Sequence, residues 1–316
     1  MKLFIITFIS YSIFSQIIFA PSISAQRKNS GQISISGAFA LYPVVVKWAE
    51  EYKRVNPGIR IDISADGAGK GISDVLSGMV DIGMVSREVY PEELKKGAYI
   101  IPVARDAVVA IINEKNPLLN EILAKGLRRD QGNNIWITGT TRTWSQAFGV
   151  KSTIPIHTFT RSDACGAAEI WAEYFGKKQE DLAGTGVFGD PGLAQAVRKD
   201  PLGIGFNNMG YAYDAQTRKQ LKGLRVVPLD LNENGTIDTD ENFYNTMDDL
   251  ISAVSAGKYP SPPARDLYFV LKGKPGEKVV ADFIKWVLSD GQKFVREAGF
   301  ISLPEERIKA ELKKLQ

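Results

Sequence analysis

Between residues 33 and 87 the chain runs strand, loop, helix, and then the same again, and this constrains the fold more than any other feature. Ile33-Ser34-Ile35 reads as a strand, Ser36 to Pro43 as a turn, and Val44 to Asn56 as a helix stopped by Pro57-Gly58. Ile59 to Ser64 is the next strand, Ala65-Asp66-Gly67-Ala68-Gly69-Lys70-Gly71 the next loop, and Ile72 to Ser77 the next helix. Val80 to Val85 is a third strand, closed by Ser86-Arg87. Such a repeat specifies an α/β fold, a sheet with parallel strands flanked by helices. Its loops collect at the carboxyl edge of the sheet, where such folds bind ligands.

Those loops share one chemistry. Gly37-Ala38-Phe39-Ala40 precedes a helix, Gly67 to Gly71 precedes another, and Ser86-Arg87 ends a strand. A fourth loop, Arg161-Ser162-Asp163-Ala164-Cys165-Gly166-Ala167, follows a strand-like run from Thr153 to Thr160 and opens a helix through Trp171. Helix starts carry unpaired N–H groups and the positive end of a dipole, and Arg161 adds a donor fork, so the set suits one small anion. Asp163 repels a bare anion but accepts a hydrogen bond from a protonated one. The Gly-rich loop lacks the Lys-Ser/Thr ending of a nucleotide loop and the spacing of a dinucleotide fingerprint. Each loop alone also reads as an ordinary tight turn; together they point to a binding site.

The remaining order is coarser. Ala107 to Asn113 and Asp266 to Leu271 are strongly apolar strands, Leu118 to Lys125, Leu193 to Lys199, Gly276 to Leu288 and Pro304 to Gln316 read as helices, and Ser261-Pro262-Pro263 as a linker. The two apolar strands are expected to carry the chain between two lobes. Residues 26–107 with 263–316 would form one lobe and 108–262 the other, with ligand in the cleft and closure by a hinge.

Met1 to Ala25 reads as a secretory leader, with Lys2, an apolar run to about Ala20, and small residues at its end. The expectation is an exported protein, periplasmic or secreted and soluble after cleavage. A formal net charge of +3 indicates no nucleic-acid or membrane partner. Cys165 is the only cysteine and His157 the only histidine, which excludes an internal disulfide and argues against a His-rich zinc site. A helix start beside Arg161 would lower the Cys165 pKa, but with no nearby His or second Cys in sequence the thiol is read as filling space. His157, in an apolar run, is read as structural.

These features, in order, resemble the periplasmic substrate-binding proteins of ABC phosphate importers over essentially the whole mature length. Gly37 to Trp48, Gly67 to Gly71, Val80-Asp81-Ile82-Gly83-Met84-Val85-Ser86-Arg87, Ile137-Thr138-Gly139 with Trp144, Arg161 to Gly166 and Gly203-Ile204-Gly205-Phe206 carry the resemblance. It implies a two-lobe α/β clamp, a discontinuous first domain, and one dehydrated oxyanion, phosphate foremost, handed to a membrane permease by a monomeric carrier that is not an enzyme. The implied ligand-binding residues are Ala38, Phe39, Ala40, Gly67, Ala68, Gly69, Lys70, Ser86, Arg87, Arg161, Asp163, Cys165, Gly166 and Ala167. The family usually has Ser or Thr where this chain has Ala38 or Phe39, Ala68, Cys165 and Ala167. Lys70, Arg87 and Asn207-Asn208 are candidate replacements for those donors, and tungstate, molybdate or an organic acid are alternative ligands. A secreted phosphoesterase is the reading from another class; no nucleophile stands beside a base in the sequence to support it.

A second motif lies apart from these loops. In Asp230-Leu231-Asn232-Glu233-Asn234-Gly235-Thr236-Ile237-Asp238-Thr239-Asp240-Glu241, oxygens recur at the spacing of a calcium loop. Asp230, Asn232, Asn234, the Thr236 carbonyl, Asp238 and Glu241 are the expected ligands, and Gly235 allows the turn. A polar Asn-Gly hairpin is the alternative. A helix is expected to follow directly, from Asn242 to Val254, and a structural calcium to stabilise the fold.

Overall fold

The computed structural model describes residues 31–315; the expected leader lies outside the described residues. In chain order the strands and helices are β1 (Gly31–Gly37), α1 (Tyr42–Val55), β2 (Ile59–Ala65), α2 (Ala68–Ser77), β3 (Ile82–Val85), α3 (Pro91–Lys95), β4 (Ala98–Asn113), α4 (Leu119–Lys125), α5 (Arg129–Trp136) and α6 (Trp144–Phe148). They continue with β5 (His157–Arg161), α7 (Gly166–Tyr174), β6 (Thr185–Val187), α8 (Asp190–Lys199), β7 (Gly203–Asn208), β8 (Leu224–Val227), α9 (Met247–Ser255), β9 (Ala264–Lys272), α10 (Lys278–Val287), α11 (Lys293–Glu297) and α12 (Glu305–Lys314).

The strands lie in the order β2-β1-β3-β9-β4-β7-β5-β6, with β8 also on β4. The repeat at the start pairs as expected, β1 running parallel to both β2 and β3. β5 is parallel to β6 and β7, while β9 is antiparallel to both β3 and β4. The apolar strand expected from Ala107 is longer than its hydrophobic run. β4 begins at Ala98 because its first half pairs with β9, up to Ala107 opposite Ala264, while its second half pairs with β7 and β8.

Buried apolar residues fall into two clusters, and β4 and β9 belong to both. One holds Trp48 edge-on to Phe269, with Phe283 stacked behind. The other holds Trp171 stacked on Phe206 and edge-on to Trp136. Along β4 the side chains change from the first cluster at Ala104 to the second at Ala107; along β9 the change falls between Ala264 and Leu267. At that crossing Arg265 and Asp106 form a buried ion pair, Nε to Oδ1 2.8 Å.

Helix ends follow local chemistry. Pro43 opens α1 and Lys53 with Arg54 close it. The helix expected from Asn242 begins only at Met247. Thr246 caps it, its Oγ1 accepting from the Asp249 amide at 3.1 Å, and Phe243 and Tyr244 are drawn off into the core, where both are buried.

Ile111 is fully buried on the half of β4 that meets β7 and β8. Ile111→Ala is expected to cost about 3 kcal/mol through lost burial and the cavity left behind. In thermal unfolding this should lower Tm by about 10 °C.

Candidate functional site

The carboxyl ends of β1, β3 and β5 place three of the loops, and the start of α2 the fourth. The first loop is tied to its neighbours through the backbone. The Ala38 amide donates to the Met84 carbonyl at 2.9 Å, and the amides of Asp66 and Gly67 both donate to the Gly37 carbonyl at 3.0 Å. Across the cleft the Gly69 amide donates to the Ala164 carbonyl at 3.4 Å, so the N-terminus of α2 meets the loop that begins α7. A Cβ on Gly166 would stand 2.0 Å from the Ser86 carbonyl oxygen and 2.4 Å from Ser86 Oγ. This approach admits only glycine. Residues of the two hydrophobic clusters are therefore closed onto each other along the four loops.

Arg161 is the charged centre. It is 6% exposed at the end of β5. Its Nε and Nη2 donate to Asp163 Oδ1 and Oδ2 at 2.9 and 2.6 Å, and Asp163 Oδ1 also accepts from the Gly189 amide at 3.0 Å. Its Nη1 lies 3.0 Å from Asp190 Oδ1, an ion pair whose geometry leaves this buried nitrogen without a hydrogen-bond acceptor. The Phe39 ring lies 6.0 Å from the guanidinium, Phe188 packs edge-on against Phe39, and Tyr211 Oη donates to the Phe39 carbonyl at 3.0 Å. Burial alone would lower the Arg161 pKa, but Asp190 and Asp163 outweigh it and hold the guanidinium above its ordinary value. Burial pushes the Asp190 carboxyl up, against the pull of Arg161 and Arg265. Asp190 is further held by Asn208 Nδ2, donating to its Oδ1 at 2.6 Å, and its carbonyl accepts from Asn207 Nδ2 at 2.8 Å.

The expected site residues divide. Phe39 lies against Arg161, Gly67 stands beside Asp163 Oδ2, and Gly166 packs on Ser86, while Ala38 is tied to Met84 through its amide; Ala40, Ala68 and Ala167 are buried beside them in sequence. Lys70 turns away: it is half-exposed and its Nζ is held by Asp74 one turn along α2, 2.7 Å from Oδ2. Arg87 is buried but occupied, with both Glu93 oxygens at 2.8 and 2.9 Å and the Tyr90 ring at 4.1 Å. It faces a separate cavity of about 320 Å³ behind the crossing, shared with Arg105, Arg265 and Arg307. The Gly69 amide is spent on Ala164. Cys165 caps α7, its Sγ accepting from the Ala168 amide and its own amide donating to Gln179 Oε1 at 3.0 Å. The expectation that a helix start and Arg161 depress its pKa is corrected: burial outweighs both and pushes the thiol up to about 12. His157 sits half-exposed at the sheet edge, its Nδ1 2.6 Å from Asp200 Oδ2.

Asp190, Phe188 and Tyr211 also contact Arg161 or Phe39, and no sequence motif points to them. Asp190-Pro191-Gly192 was legible as a helix start, but nothing local shows that β6 delivers it to Arg161. Asn207-Asn208 act through Asp190 rather than facing the cleft as donors.

Comparison with known proteins places this geometry in context. A model of the PBP superfamily domain matches residues 22–291. The protein SphX of Synechococcus elongatus is 30% identical over 295 residues, covering 89% of this chain and 79% of SphX. The phosphate-binding protein PstS of Pseudomonas aeruginosa is 27% identical, covering 90% of this chain and 87% of PstS. Among solved structures, one described as a phosphate ABC transporter substrate-binding protein from Clostridium perfringens, with bound phosphate, superposes with a TM-score of 0.71 at 24% identity, covering 87% of this chain and all of that one. An ABC-type phosphate transport receptor from Vibrio cholerae superposes with a TM-score of 0.62 at 20% identity, covering 86% and 100%. Both show the same two-lobe α/β fold.

Two outcomes follow from the charges. Arg161→Ala strands two buried carboxylates and is expected to cost about 3–5 kcal/mol, read as a fall in Tm. The raised Cys165 pKa makes the folded state hold its proton more tightly than the unfolded chain, so stability is present below an unfolded value of 9.0 and is lost as pH rises toward 12. Between about pH 8.5 and 10 the protein should lose about 1 kcal/mol more stability than Cys165→Ala in parallel denaturant titrations.

Proposed function

The chain belongs to the PBP superfamily, and we propose that it is an exported substrate-binding protein that captures a small oxyanion, phosphate foremost, and presents it to the membrane permease of an ABC importer. One observation carries the reading. Arg161 Nη1, a buried cationic donor ion-paired with Asp190 but without a hydrogen-bond acceptor, belongs to the loop whose Ala164 carbonyl accepts from the first turn of α2. A buried donor left unpaired costs about 1–3 kcal/mol, which a bound oxyanion oxygen would recover. Helix N-termini suit an oxyanion, and that of α2 meets the loop that opens α7, where Gly166 packs on Ser86.

Asp163 supports a protonated oxyanion in particular. Both its oxygens are oriented by Arg161, and Oδ2 lies on the side of Gly67. A carboxylate fixed in this way accepts a hydrogen bond from a hydrogen phosphate and repels a fully deprotonated anion such as sulfate. The relatives named phosphate-binding agree with this choice. The absence of side-chain hydroxyls at Ala38, Phe39, Ala40, Ala68 and Ala167 favours a second reading, in which a differently shaped oxyanion such as molybdate or tungstate is held by amides and Arg161 alone.

Binding rather than catalysis is supported by the chemistry at hand. His157 lies at the sheet edge, and the Cys165 thiol keeps its proton near neutral pH. Export is supported by the leader-like sequence Met1 to Ala25, and among the described residues no helix is long and apolar enough to cross a membrane.

Calorimetric titration of the mature chain should show one phosphate bound per chain. Gly166→Ala should weaken it by at least about tenfold, because the new methyl meets the Ser86 carbonyl only on closure, while Tm without ligand stays nearly unchanged. If phosphate, molybdate, tungstate and sulfate all give no heat and no shift in Tm at millimolar concentration, the oxyanion reading fails.

A further inference from the structure

The loop from Asp230 to Glu241 lies apart from the cleft, and it contains a buried carboxylate oxygen without a hydrogen-bond partner. Asp230 is 1% exposed. Its Oδ2 accepts from the Gly235 amide across the loop at 2.8 Å, which fixes the carboxylate against the loop interior. The twin oxygen, Oδ1, is buried and has no hydrogen-bond partner. A buried anionic oxygen in that state is costly unless a cation meets it. Arg128, in the adjoining turn, pairs with Asp130 instead, Nε to Oδ1 3.0 Å, and residues 230–241 contain no Lys or Arg.

The other polar side chains of the loop are hydrogen-bonded within it. Asn232 Oδ1 accepts from the Asn234 amide at 3.0 Å and keeps a free lone pair, while Asn234 Oδ1 accepts from both the amide and the hydroxyl of Thr236 at 2.9 Å, and the hydroxyl would have to turn away for a cation to take its place. Asp238 Oδ2 draws both asparagines together, accepting from Asn232 Nδ2 and Asn234 Nδ2 at 2.9 and 2.8 Å. Glu241 is 5% exposed and reaches back over the loop, its Oε1 accepting from the amides of Leu231 and Asn232 at 2.7 and 3.0 Å and its Oε2 from Asp238 at 3.2 Å. Among the described residues no three acidic, His or Cys side chains already stand close enough to hold a metal by themselves. A hard cation would be held here by a mixed set of carboxylate, amide and backbone oxygens, which is calcium chemistry rather than that of a transition metal.

The loop is also well anchored. The Leu127 amide donates to the Pro228 carbonyl at 2.7 Å, the Asp230 amide to the Leu127 carbonyl at 3.1 Å, and the Ile237 amide to the Ala124 carbonyl at 2.9 Å. Both ends of the loop are therefore pinned to the end of α4 and the turn into α5.

We propose that Asp230, Asn232, Asn234, the Thr236 carbonyl, Asp238 and Glu241 form a calcium site, centred on Asp230 Oδ1, that locks this loop onto the end of α4. Magnesium, which demands a tight octahedron and keeps its waters, fits such a flexible oxygen set poorly. The site binds only the folded chain and so acts through stability.

The test uses the mature chain stripped with chelator in phosphate-free buffer. Calcium at about 1 mM should bind one per chain by calorimetry and raise Tm by about 5 °C or more over the chelated protein, with magnesium giving a much smaller shift. Asp230→Asn and Glu241→Gln preserve shape and should melt close to the unaltered protein in chelator, yet lose the calcium increment. Identical melting in calcium and chelator with no heat of binding would overturn the proposal. So would an equal response to magnesium, or an increment that survives in both variants. Phosphate titration of the same samples is a separate readout, so loss of one site is not mistaken for loss of the other.

Discussion

A line of buried charge runs from the crossing between the two cores to the cleft, and most of the architecture is arranged around it. Asp106 on β4 pairs with Arg265 on β9; Arg265 Nη2 donates to Asn208 Oδ1 on β7; Asn208 donates to Asp190 at the start of α8; and Asp190 pairs with Arg161, which holds Asp163. Five elements that are distant in sequence must be in register for this line to exist. An intact buried ion pair adds little net stability, because desolvation offsets its attraction, whereas removing one member leaves a charge stranded at about 3–5 kcal/mol. The line thus does little to raise stability and much to penalise any arrangement that breaks it. It also joins the place where the chain bends between cores to the residue that would meet a ligand.

The cleft itself is poor in side-chain hydroxyls. At Ala38, Ala40, Ala68 and Ala167 small apolar residues let backbone approach backbone, and Phe39 covers the guanidinium. Each absent hydroxyl forgoes a hydrogen bond worth about 1 kcal/mol net, while a charge-assisted bond from a guanidinium in a dry site is worth about twice a neutral one. Closing apolar surface over Arg161 lowers the local dielectric and strengthens that contact. Fewer donors in a drier site is therefore a workable exchange, and it depends on closure being tight, as the glycine-only contact of Gly166 with Ser86 requires.

Much of this was legible in the residues alone. The strand-loop-helix repeat dictated parallel pairing of β1 with β2 and β3, and the four loops do meet at the edge of the sheet. What escaped was set by partners far away in sequence. Asp190 reads as a helix-start residue, and only tertiary pairing brings it to Arg161. Cys165 shows how position misleads when burial is unknown: a helix start and a neighbouring arginine favour the thiolate, yet desolvation in a 6% exposed site decides the sign. Lys70 is the exception, because its i,i+4 acid, Asp74, was visible and predicts the pair that removes it from the cleft. The delayed start of α9 reflects burial of Tyr244, which competes with helix formation in a way that periodicity does not register.

The two sites sit at opposite kinds of location, and this bears on how they could interact. The cleft is built from contacts across the two cores, Gly69 with Ala164 and Gly166 with Ser86. The acidic loop is anchored wholly on one core, through Leu127 and Ala124 at the end of α4. If the cleft opened about the crossing, a cation bound to the proposed loop site would keep its contacts, would have no differential affinity for the two states and would not shift the balance between them. What it can change is the stability of the core that carries Arg161, Asp163 and Asp190. That core bears the larger share of unpaired buried polar atoms, Arg161 Nη1 and Asp230 Oδ1 among them. A cation at the proposed loop site would offset part of that burden at Asp230 Oδ1.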